Sequence, residues 1–60
     1  MAKKILIADD EVLVRQVIKQ VLQSEGYDVI EAKDGKEAVE LVRNEKPDLL
    51  IIDVRMPVMD

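Results

Sequence analysis

The chain has 60 residues, 48% of them hydrophobic, with a formal net charge of −4 and neither cysteine nor histidine. That composition is globular rather than disordered, and its acidic balance argues against a nucleic-acid surface on this segment. Without thiols or imidazoles there is no disulfide framework, no zinc site of the usual kind and no histidine base, so any metal must be held by oxygen, which favours Mg²⁺, Mn²⁺ or Ca²⁺.

Tyr27 is the only aromatic residue, so the core must be aliphatic. A chain this short buries only about 60% of the surface that its unfolded form exposes. The apolar run Ile5–Ala8 is too short for the core of a signal peptide. Nothing approaches the roughly 18 apolar residues of a membrane span. A cytoplasmic protein without membrane contact is the expectation.

Lys3 and Lys4 form a polar, solubilising lead-in. Ile5-Leu6-Ile7-Ala8 is a continuous, β-branched apolar run and reads as a buried strand, ending in Asp9-Asp10-Glu11. From Glu11 to Glu25 the period becomes helical. Val14, Val17, Ile18, Val21 and Leu22 form one stripe, with Arg15, Gln16, Lys19, Gln20 and Gln23 opposite. Asp9 or Asp10 is placed to cap this helix against its positive end. Gly26 follows as a residue able to take positive φ.

Tyr27–Ala32 reads as a more polar strand, expected at a sheet edge. Asp34 and Glu37 form an acidic capping box that opens a second helix, with Ala38, Leu41 and Val42 as its apolar stripe and Asn44 as its stop. Pro47 blocks further helix. Asp48-Leu49-Leu50-Ile51-Ile52-Asp53 then reads as a strand. Its four consecutive aliphatic residues suggest burial on both faces, the habit of a central parallel strand. Val54-Arg55-Met56-Pro57 leads into a loop. The order is β-α-β-α-β, with crossovers long enough to join parallel strands in the right-handed sense.

Asp9 and Asp10 end the first strand and Asp53 the third. If those strands are neighbours, three carboxylates meet at the carboxyl edge of the sheet, where open α/β sheets bind ligands. Their repulsion calls for a divalent cation, and Mg²⁺ is the expectation. Helix capping and a turn-initiating aspartate account for each acid alone, but less well for all three together. The first βα turn carries Asp-Asp-Glu where a dinucleotide fold needs glycines, which disfavours a dinucleotide site.

The segments Ile5–Glu11, Gly26-Tyr27, Ala32–Ala38 and Pro47–Asp60, in this order and spacing, resemble the receiver domain of two-component response regulators. The resemblance covers the entire chain. It implies a flavodoxin-like α/β fold truncated to three parallel strands in order 2-1-3, with residues 1–60 as the N-terminal half of a receiver domain. It implies that Asp53 accepts a phosphoryl group from a sensor histidine kinase. Asp10 is then a direct Mg²⁺ ligand, Asp9 one acting through water, and the Arg55 backbone carbonyl the third protein ligand, with Met56 and Pro57 at the rim of the site. The helix from Glu11 to Glu25 is the region expected to meet the kinase.

In order 2-1-3 the strand ending at Asp53 has an open edge, so an isolated fragment is expected to self-associate, to swap elements or to fold only marginally. Two other readings compete with signalling: a non-functional half-domain that associates through this strand, and a Mg²⁺-dependent hydrolase working through an aspartyl phosphate. Haloacid-dehalogenase-like phosphatases normally carry a second aspartate two residues after the first. Here that position is Arg55, which counts against the enzyme.

Overall fold

The structure is a computed structural model that describes residues 2–52. Its order is β1 (Lys4–Ala8), α1 (Val12–Ser24), β2 (Asp28–Ala32), α2 (Gly35–Glu45) and β3 (Leu49–Ile52). The three strands form one parallel sheet in order β2-β1-β3. Asp53, with Arg55, Met56 and Pro57, whose site roles the resemblance implies, lies outside the described residues.

β1 is the central strand and the heart of the core. Ile5, Leu6, Ile7 and Ala8 are all buried, joined by Ala32 and Ala38. Removing a side chain such as that of Leu6 from water stabilises by about 2 kcal/mol. Leu6 and Ala8 pack with Ile30, Ala32, Ala38 and Leu41, which seats α2 on one face of the sheet. Strand residues alternate between faces, so Glu31 of β2 lies on the other face, where Arg15 and Lys19 of α1 meet it.

β3 stands at the border that order 2-1-3 gives it, although its unbroken apolar run has the character of a central strand. It has β1 on one side and no described strand on the other, and neither helix packs onto it. Leu49 is 54% exposed, and Leu50 and Ile52 are also exposed. Its unbroken apolar run fits a strand covered on both faces, but α1 and α2 lie over β1 and β2 and reach no further. The expected edge position of β2 is observed.

Expected and observed helix ends differ in instructive ways. Glu11, not an aspartate, occupies the N-cap position of α1. Asp9 acts two residues earlier: its Oδ1 accepts the Glu11 N–H at 2.8 Å, a local turn that aspartate favours. At the other end Gly26 takes φ +92°. Gly26 N–H donates to the Gln23 carbonyl and Tyr27 N–H to the Leu22 carbonyl, the paired closure of a Schellman motif. The strand then begins at Asp28, one residue later than expected.

Asp34 caps α2 as expected, its Oδ1 accepting the Glu37 N–H at 2.8 Å. Glu37 reaches back to the Lys33 N–H, one residue before the N-cap. α2 runs past Asn44 to Glu45. It stops because Lys46 turns left-handed (φ 49°), with its N–H on the Val42 carbonyl. Lys4, read as a solubilising residue, is structural: its Nζ lies 3.1 Å from Glu45 Oε1.

Candidate functional site

The site begins where β1 ends. Asp9 N–H donates to the Ala32 carbonyl at 3.2 Å, so the backbone is still tied to β2 when the first aspartate is reached. Asp9 is only 5% exposed, whereas its neighbour Asp10 is exposed. The two expected ligands therefore stand differently: one carboxylate is held in the fold, and the other faces solvent at the mouth of the loop.

The loop is fastened from two directions. The Asp9 side chain holds the Glu11 N–H. The Asp9 backbone carbonyl accepts Arg15 Nη1–H at 2.7 Å. The same guanidinium donates through Nε to Glu31 Oε1 at 3.0 Å, while Lys19 Nζ donates to Glu31 Oε2 at 3.1 Å. Both bonds, with Lys19 as the larger cause, hold the Glu31 carboxyl below its ordinary value of 4.5.

This Arg15–Lys19–Glu31 cluster was not legible as part of the site, because Arg15 and Lys19 read as the solvent side of the helix. The Arg15 side chain is in fact only 14% exposed. α1 is turned so that Val14, Ile18 and Leu22 are half-buried beside Arg15 and Lys19, leaving Leu13, Val17 and Val21 exposed. The signal was Glu31. A charge between Ile30 and Ala32 on a half-buried strand demands a cationic partner, and two cations four residues apart on the covering helix supply one.

Fit to Mg²⁺ rests on the chemistry of the donors. Asp9 and Asp10 offer hard carboxylate oxygens, the type this ion takes, usually from one or two carboxylates. Among the described residues no group of three acids gathers around a common point, so these two are the described part of the expected donor set. The register sets the context. Ile52 of β3 pairs with Ala8 of β1, so both strands end at the same sheet edge, one residue before Asp53 and Asp9 respectively. No helix among the described residues is long and apolar enough to cross a membrane.

Comparison with known proteins agrees with this architecture. The family model for the response regulator receiver domain matches residues 5–60. The chain is 51% identical over 59 residues to the transcriptional regulatory protein PdtaR of Mycobacterium tuberculosis, covering 97% of this chain and 29% of that protein. It is 47% identical over 60 residues to the alkaline phosphatase synthesis transcriptional regulatory protein PhoP of Bacillus subtilis, covering 25% of it. Among solved structures, the chemotaxis response regulator CheY4 of Vibrio cholerae superimposes with a TM-score of 0.93 at 41% identity. That match covers 98% of this chain and 49% of the other. The chain thus spans under a third of these curated relatives and about half of the solved one, and the superposition is consistent with a truncated flavodoxin-like fold. By family match, sequence identity and strand order together, the chain belongs to the response regulator receiver domain family.

Proposed function

We propose that this chain is the phospho-accepting part of a two-component signalling protein, with Asp53 as the acceptor and Mg²⁺ held by Asp10, by Asp9 through water and by the Arg55 carbonyl. The observation that carries this reading is the Ala8–Ile52 register, which ends β1 and β3 at one edge beside the buried Asp9. A carboxylate oxygen of Asp53 would form a bond to phosphorus as the N–P bond of a phosphohistidine breaks, with the electron pair staying on the imidazole. Phosphoryl transfer asks little covalent chemistry of the protein and much positioning and charge neutralisation. A bound Mg²⁺ supplies the neutralisation. Asp9 keeps the loop in place through the Glu11 N–H and Asp10 presents its exposed carboxylate; under this reading Met56 and Pro57 would be the residues of the rim.

The partner under this reading is a sensor histidine kinase, met by the exposed flank of α1. The test is incubation with a phosphorylated kinase and Mg²⁺, read by mass spectrometry. Gain of one phosphoryl group, lost in Asp53→Asn and strongly reduced in Asp10→Asn, supports it; an unchanged gain in Asp53→Asn defeats it.

A second reading is favoured by one specific observation: the outer side of β3, which no described strand pairs, with exposed Leu49, Leu50 and Ile52. In this reading the isolated chain associates with itself through that strand. Sedimentation over a dilution series tests it, and a monomer at every concentration defeats it.

A further inference from the structure

We infer that Arg15 is a positioning residue for the acidic loop. It holds the Asp9–Glu11 turn in the shape that receives a cation by tying the Asp9 carbonyl to Glu31 of the neighbouring strand. The cation itself rests on the proposed function above; the bracing rests on geometry alone. One guanidinium spans three elements: it sits on α1, reaches the end of β1 through Nη1 (2.7 Å to the Asp9 carbonyl), and reaches β2 through Nε (3.0 Å to Glu31 Oε1). A rigid planar fork serves two acceptors at fixed separation, which the single ammonium of a lysine does not.

The structure supplies the reason for a brace here. Asp9 is the last point at which the β1 backbone bonds to β2, and Asp10 beyond it is exposed. The Asp9 carboxylate is also engaged, its Oδ1 holding the Glu11 N–H. Two fastenings on one residue, side chain forward to Glu11 and carbonyl sideways to Arg15, hold the carbonyl of the Asp9–Asp10 peptide and the N–H of the Asp10–Glu11 peptide. Glu31 offsets part of the positive charge that Arg15 and Lys19 bring near a site that is to hold a cation. Lys19 completes the pairing of Glu31 without touching the loop, which makes it the natural control.

The experiment is ¹⁵N relaxation and a Mg²⁺ titration followed by amide NMR on the full chain and its Arg15→Met, Arg15→Lys and Lys19→Met variants. In Arg15→Met the order parameters of Asp10 and Glu11 fall from the rigid range, about 0.85, to below about 0.6, and the apparent Mg²⁺ affinity weakens about tenfold. Arg15→Lys keeps the charge, loses the fork and behaves like Arg15→Met; should Arg15→Met not fold, it decides on the same readouts. Lys19→Met leaves the loop rigid and the affinity within about twofold.

A loop that stays rigid in both Arg15 variants overturns the inference. So does an equal loss of order at Glu37 in the α2 cap, which would mark general loosening. A parent chain whose Asp9 and Asp10 amides ignore Mg²⁺ defeats the proposed function instead, and the order parameters still decide the role of Arg15.

Discussion

Lys4 and Asp48 exchange two hydrogen bonds: Lys4 N–H donates to Asp48 Oδ2 and Asp48 N–H to the Lys4 carbonyl, each at 2.8 Å. The pair fastens the start of β3 to the start of β1 and so sets the register that brings Ile52 beside Ala8. Asp48→Ala removes one of the two bonds and is expected to cost about 1 kcal/mol. Faster amide exchange confined to Leu49–Ile52 is the accompanying sign, whereas an unchanged urea midpoint and exchange pattern would deny Asp48 this role.

Gly26 tests backbone conformation apart from packing. A Cβ added there meets nothing within 4 Å, yet φ is +92°. Gly26→Ala is expected to destabilise by about 1–2 kcal/mol through backbone strain alone. Gly26→Asn, better tolerated in this region, loses less. Equal thermal midpoints for the parent and the alanine variant would contradict the strain.

Glu31 gives acid stability a definite sign. Its carboxyl is held below 4.5 in the folded chain by Lys19 and Arg15. The ion pairs therefore stabilise above the ordinary glutamate range, and that contribution is lost as pH falls through the lowered folded value. Glu31→Gln should be less stable than the parent at pH 7 and approach it in strongly acidic solution. Chemical unfolding at a series of pH values checks this, and a constant difference across the range would refute it.

The open edge invites a charge. Leu50→Lys places an ammonium on exposed β3 and leaves the sequence of buried β1 unchanged. Edge lysines oppose strand pairing between chains, so the variant should stay monomeric at concentrations where the parent associates. Sedimentation velocity distinguishes the two, and identical association of both chains would remove β3 from the interface.

Much of the fold was legible in the pattern of the chain. The Ile5–Ala8 run, the Asp34 cap and Gly26 each depend on neighbours close in sequence, and each stands where local chemistry requires. β3 takes the border position expected from order 2-1-3, but the burial on both faces that its run suggests is not seen among the described residues: an unbroken apolar run reports what a strand is suited to be covered by, not what lies over it. The rotation of α1 was hidden for a related reason. Periodicity finds an apolar stripe, but the position of Glu31 on the strand beneath decides which flank turns inward. The place of Asp9-Asp10 at the end of a buried strand was readable, while the Arg15 brace joins residues whose partnership only the folded sheet reveals.

The two borders of the sheet are unlike, and this limits how copies could join. β2 carries Asp28 and Glu31 among its five residues, while β3 is Leu-Leu-Ile-Ile. Like charges facing each other across paired strands are destabilising, so β2 resists meeting its own copy, and β3 does not. If two chains join β3 to β3 about a twofold axis, the six-stranded product has β2 at both ends. Growth terminates there: the preferred product is a closed pair rather than an extending ribbon.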